Sequence, residues 1–96
     1  MRVVGRETLD QFCSRHADAR TWIANWTADV ESSTWATPQA IKDRYSTASF
    51  VGGNTVIFNV KGNDYRLEVT VAFKTGLVVV KWMGTHAEYD ERNARR

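Results

Sequence analysis

Two short connections, Lys61–Asp64 and Thr75-Gly76, separate three runs in which apolar and polar residues alternate. Strand side chains point to opposite faces in turn, so the length of each connection decides which residues share a face. A four-residue connection at Lys61–Asp64 pairs Val60 with Tyr65, Phe58 with Leu67 and Val56 with Val69. A two-residue turn at Thr75-Gly76 pairs Phe73 with Val78, Val71 with Val80 and Val69 with Trp82. Both hairpins place one apolar set together, running from Val56 and Phe58 through Tyr65, Leu67 and Val69 to Val80 and Trp82. Such a face has to be covered.

The first half supplies the cover. Residues 2–4 read as a short strand ended by Gly5. Leu9, Phe12, Cys13 and His16 recur at helical spacing, and Trp22, Ile23, Trp26 and Val30 share the face of a second helix. Asp18 is placed to cap that second helix. Thr37-Pro38 opens a third, with threonine as cap and proline at the first helical position, and Ile41 and Tyr45 as its apolar contacts. Residues 1–96 therefore form one α+β domain: an antiparallel β-meander joined at its edge by the N-terminal strand, with two or three helices on its apolar face.

Ninety-six residues, 43% of them hydrophobic, suffice for one modest core without staples. The single cysteine, Cys13, allows no intramolecular disulfide, and no Cys/His spacing or Asp/Glu cluster implies a metal or cofactor. No apolar run is long enough for a membrane span and the start lacks the apolar core of a signal peptide, so the expected location is cytoplasmic. Net charge is only +2. Residues 1–48 hold six basic and six acidic side chains and residues 49–96 hold seven and five, so the excess lies in the sheet half.

The opposite face of the sheet carries Asn59, Lys61, Arg66, Glu68, Thr70 and Lys81, with Ile57, Ala72, Val79 and Met83 between them. In this register Arg66 lies opposite Thr85, Lys81 pairs with Thr70, and the mixed face is open to solvent or a ligand. Thr85-His86-Ala87-Glu88 is a capping box that begins a helix, whose N–H groups and positive dipole end point towards Arg66 and Lys81. That dipole disfavours a protonated His86, leaving an imidazole able to accept a proton. Tyr89 follows on the same helix face.

This inventory suits metal-independent RNA cleavage, which needs proton transfer and cationic donors at a phosphodiester. Arg66 is assigned to the non-bridging oxygens, because its planar fork binds phosphate oxygens in pairs. Lys81 and Lys61 are further phosphate contacts, and His86 is base or acid. Tyr89 donates a hydrogen bond or stacks on a base. The basic tail Arg92-Asn93-Ala94-Arg95-Arg96 is placed to touch RNA. Each residue has a plainer reading: Arg66 and Glu68 as a surface ion pair, Lys81 as a solvated charge, His86 as a terminal polar residue. Their convergence on one face favours a site. Trp22, Trp26 and Trp82 read as core, His16 as a satisfied core residue, and Trp35, in a polar stretch, as an anchor for a partner.

The segments Phe58-Asn59-Val60-Lys61-Gly62-Asn63-Asp64-Tyr65-Arg66-Leu67 and Thr85-His86-Ala87-Glu88-Tyr89-Asp90 resemble those of HigB toxins, in the RelE-like superfamily of type II toxin–antitoxin modules. The resemblance implies a RelE-like fold and an endonuclease that cuts mRNA on translating ribosomes. It also implies inhibition by a HigA-type antitoxin with a helix-turn-helix domain. Asn59, Gly62, Asn63, Arg66, Thr85, His86, Tyr89 and Asp90 carry the match. Lys81 fills the basic position before Trp82, and Lys61 stands where similar proteins have glycine. Two other readings fit the open face: a ParE-like toxin acting on a topoisomerase, and a non-catalytic peptide-binding module.

Overall fold

The structure is a computed structural model that describes residues 1–94. Arg95 and Arg96 of the basic tail lie outside the described residues. Along the chain come β1 (Arg2–Val4), α1 (Arg6–Arg15), a 3-10 turn (Ala17–Ala19), α2 (Arg20–Glu31), α3 (Pro38–Arg44) and β2 (Ser49–Phe50). There follow β3 (Thr55–Val60), β4 (Tyr65–Ala72), β5 (Leu77–Thr85) and α4 (His86–Ala94). The five strands form one sheet in the order β1-β5-β4-β3-β2. β1 runs parallel to β5, and the other neighbours are antiparallel. This is the α+β fold expected, with its N-terminal edge strand and with a short β2 at the far edge.

The core joins three helices to one face of the sheet. Leu9, Phe12 and Cys13 of α1, Ile23, Trp26 and Val30 of α2, and Ile41 of α3 pack in one cluster with Val56, Phe58, Leu67, Val69 and Val78. Phe58 meets the Trp26 and Tyr45 rings edge-on at 5.5 and 5.2 Å, the offset geometry that aromatic quadrupoles favour. Burial raises the Cys13 thiol pKa, as befits a structural thiol. Trp35, expected as an exposed anchor, is instead buried, edge-on to Tyr45 at 6.2 Å. Its polar neighbours in sequence gave no hint of the ring waiting ten residues on.

Local signals at the helix ends have mixed outcomes. Thr37 caps α3, its Oγ1 accepting from Ala40 N at 3.3 Å, with Pro38 at the first position. Gly5 takes a left-handed φ of 91° between β1 and α1, where an added Cβ would stand 3.0 Å from the Val80 carbonyl oxygen. Asp18 does not cap α2, whose N-cap is Ala19 without a side-chain bond. Its carboxylate turns to the sheet, accepting from Tyr65 Oη at 2.6 Å and Lys61 Nζ at 2.9 Å. A phenol and an ammonium outbid two backbone amides.

The first hairpin has the expected register, Val60↔Tyr65, Phe58↔Leu67 and Val56↔Val69. The second does not. Its connection comprises Phe73–Gly76, so Ala72 pairs with Leu77 and Val71 with Val78. That slip of two residues preserves facing. Between Glu68 and Val69 the register shifts again: Val69 pairs with Val80, but Glu68 pairs with Trp82 and Leu67 with Met83. Lys81 is the extra residue of a β-bulge and does not pair with Thr70, whose partner is Val79. Beyond the bulge the faces exchange. Met83, expected outside, is 7% exposed in the core, and Trp82, expected in the core, lies on the other side.

Candidate active site

That other side is not left open. α4 turns back over it from the end of β5, and although it buries no residue of its own, it leaves Arg66 and Glu68 only 9% and 8% exposed. Its start is built as expected. Thr85 N donates to Glu88 Oε1 at 2.8 Å and Glu88 N to Thr85 Oγ1 at 3.1 Å, a reciprocal capping box. The Thr85 amide holds the Glu88 carboxyl pKa below its usual value, with smaller contributions from His16 and Arg15.

Further along α4, Arg92 forms a two-pronged ion pair with Glu68, Nη1–Oε1 2.7 Å and Nη2–Oε2 3.4 Å. Its guanidinium also lies 4.8 Å from the centre of the Trp82 ring, and Tyr89 sits 6.1 Å from the same ring. Trp82 can lie there because Gly84 has no side chain: a Cβ would meet the indole at 2.4 Å. Bulge, tryptophan and glycine thus make a platform for the helix. In sequence, a tryptophan two residues before a strand glycine was the available signal.

The Lys61–Asp64 connection ties the remaining residues together. Asn63 accepts from Arg66 through Oδ1 at 2.6 Å and through its carbonyl at 3.3 Å, and the Tyr65 carbonyl accepts from Arg66 Nη1 at 3.1 Å. Asp64 O accepts from the His86 backbone N–H at 3.0 Å. Lys61, in a left-handed conformation, is tied to Asp18 in an exposed ion pair. A guanidinium has five N–H donors. Three contacts occupy both Nη1 hydrogens and one on Nη2.

Tyr89 lies 5.9 Å from the Arg66 guanidinium, on the helix that His86 begins. His86 Nε2 stands 3.2 Å from Asp90 Oδ2, one turn along. Asn59 is the Cα partner of Arg66 on β3. Thr85 is opposite Tyr65, not Arg66, whose partner is Gly84. The fold therefore gathers Asn59, Asn63, Arg66, His86 and Tyr89 at one end of the sheet, with Lys61 at its rim. Lys81 is exposed in the bulge, further along β5. Arg92, read as part of a tail placed to touch RNA, is tied to Glu68 and Trp82 as a clasp on α4.

His16, expected in the core, lies at its edge. The ring is half-buried, stacked on Phe12 at 4.4 Å and 21° and inclined to Tyr65 at 5.3 Å. Its nitrogens have no hydrogen-bond partner among the described residues. Also among the described residues, no group of three or more His, Cys, Asp or Glu side chains is placed to hold a metal, and no helix is long and apolar enough to cross a membrane.

The HigB toxin family, described as the RelE-like toxic component of a toxin–antitoxin system, matches residues 19–92. The chain belongs to this family. No curated protein matches it. As a HigB-family chain it is a RelE-like toxin, and a toxin–antitoxin system gives it an antitoxin as partner. The family match spans α2 to α4 and so includes the Lys61–Asp64 connection, Arg66, His86 and Tyr89.

Proposed function

We propose that this toxin is an endoribonuclease, an mRNA interferase that cuts translated mRNA on the ribosome. The reaction is metal-independent attack of a 2′-hydroxyl on the adjacent phosphodiester. The observation that carries this reading is the convergence of Arg66, Tyr89 and the start of α4 at His86 on the Lys61–Asp64 connection. Arg66 holds the non-bridging oxygens with the N–H groups that Asn63 and Tyr65 leave free, and Asn63 keeps the fork in place. The positive dipole end at the start of α4 favours the same anion. His86 transfers a proton, held in orientation by Asp90, and Tyr89 donates to the phosphate or stacks on a base. Asn59, Lys61 and Lys81 follow the RNA backbone, and Arg92 assists by fixing α4. The partner is a HigA-type helix-turn-helix antitoxin, and the toxin works in the cytoplasm, where ribosomes translate.

Primer extension on cellular mRNA after brief induction tests this. Codon-linked cuts are expected with the wild-type toxin. Arg66→Ala should lower cutting by about 10²–10³-fold, as for loss of an oxyanion donor. His86→Ala should lower it by about 10²–10⁴-fold, as for loss of a proton-transfer group. Growth arrest over intact mRNA, or full toxicity in both variants, would overturn the assignment.

A further inference from the structure

The outer face of the sheet continues past the end that α4 covers. Val3 and Val78 are core residues, so Val4 and Val79, next to them on paired strands, project from the opposite face. Cα pairing carries that row from Val79 to Thr70 and from Thr70 to Thr55. Phe50 pairs with core Val56. Val51, one residue on and donating its N–H to the Thr55 carbonyl at 3.1 Å, therefore falls on the outer side and ends the row. Leu77 and Ala72 pair in the next row. α4 reaches only the other end of this face, where Arg92 and Tyr89 lie on Trp82. Val4 is left 39% exposed and Val51 52%, two of the three large apolar side chains that stand in water among the described residues.

We infer that this face is the docking surface for the antitoxin, which meets it with a segment of aliphatic side chains flanked by acidic ones. The inference rests on the family assignment and is independent of the ribonuclease reading. One exposed valine means little, but a contiguous aliphatic and threonine surface across a sheet marks an interaction site. Charge selects the occupant. Arg2 precedes core Val3 and Lys81 follows core Val80, so both project outward at the margins of the face, and both are exposed. Glu68, the one carboxylate in the five strands, is already held by Arg92.

A second copy of the chain would bring these cations against one another, because a two-fold contact sets the same surface on both sides. RNA would meet the cations but find no ring between them on which to stack a base. An acidic, aliphatic segment satisfies both parts of the surface. Thr70 lies four residues along β4 from Arg66, about 13 Å at the rise of a strand. The antitoxin therefore sits beside the end that holds Arg66 and His86 without filling it.

Calorimetric titration of the purified toxin with the antitoxin of its module tests this, with a thermal melt of each variant. Val4→Glu and Val51→Glu should melt like wild type and each bind about 10-fold more weakly or worse, as for loss of a buried interface contact. Val4→Lys should lose less than Val4→Glu, because a cation does not oppose the acidic flank. Arg66→Ala and His86→Ala should bind as wild type does. In cells, Val4→Glu should still arrest growth, and co-expressed antitoxin should relieve that arrest less. Undiminished binding by both glutamate variants overturns the inference, as does Val4→Lys binding no better than Val4→Glu. Weakened binding by Arg66→Ala also overturns it, since the antitoxin would then fill the site itself. Glutamate variants that hold antitoxin normally but split a toxin dimer, or no longer arrest growth, would give the face to a second copy or to the toxin's target, and the inference falls. Should Val4→Glu misfold, Val51→Glu, which lies outside the strands, decides alone.

Discussion

Replacing Arg92 with alanine should cost far more than an exposed ion pair is worth. Glu68 is the reason: its side chain is 11% exposed, against 32% for Arg92. Losing one member of a fully buried pair costs about 3–5 kcal/mol, because the other charge stays behind in a poor solvent. Here Arg92 is partly in water, which reduces the figure to about 2 kcal/mol. Loss of the guanidinium from the Trp82 face adds about 0.5–1 kcal/mol. The sum, about 2–3 kcal/mol, corresponds to a fall of about 10–20 °C in Tm for a domain of this size. Glu68→Gln should cost less, about 1 kcal/mol, because the stranded Arg92 can swing into solvent and glutamine still accepts a hydrogen bond. Arg92→Ala combined with Glu68→Gln should cost less than the two single changes added together, giving a coupling of about 1–2 kcal/mol. Urea unfolding of the four proteins, followed by tryptophan emission and far-ultraviolet dichroism, measures each. If Arg92→Ala proved no less stable than Glu68→Gln, the clasp would not rest on a trapped carboxylate and the argument would fail.

Two further outcomes follow from contacts at the same end of the molecule. Gly84→Ala sets a Cβ 2.4 Å from the Trp82 ring and 3.1 Å from Glu88 Oε1, so the indole must leave its place beneath Arg92 and Tyr89. A loss of about 1–3 kcal/mol is expected, with a shift in tryptophan emission; an unchanged melt and spectrum would contradict the packing. Tyr65 has its pKa raised to about 12, first by its hydrogen bond to Asp18, and Asp18 is lowered below 3.8 by Tyr65 and then Lys61. The raised phenol supports folding below pH 10 and loses that support as pH climbs through about 12; the lowered carboxyl supports folding above pH 3.8 and loses it on further acidification. Asp18→Asn should weaken both effects and bring one tyrosine back towards 10 in a spectrophotometric titration; a Tyr65 titration unchanged in Asp18→Asn would refute the contact.

What could be read from the chain alone depends on how far each residue's partner lies along it. Thr37 with Ala40, Thr85 with Glu88, and Phe58 with Leu67 are neighbours within one helix turn or one hairpin, and all three were legible. Asp18 and Tyr65 are 47 residues apart, and Arg92 and Glu68 are 24 apart. Periodicity carries no information about such pairs, so Asp18 read as a cap and Arg92 as part of a basic tail placed to touch RNA. The bulge at Lys81 is the instructive intermediate. Alternation through Val78, Val80 and Trp82 is unbroken, and two-residue periodicity has no means of registering one unpaired residue. Volume does have a means. An indole on the outer face needs bare backbone beneath it, which Gly84 supplies, while the core position it vacates takes flexible Met83. A large ring, a flexible apolar residue and a glycine in succession can be packed in only one order of faces. That order moves Trp82 onto the side carrying Arg66, where α4 docks on it, so the position of His86 depends on a step in β5 that hydrophobic patterning cannot see.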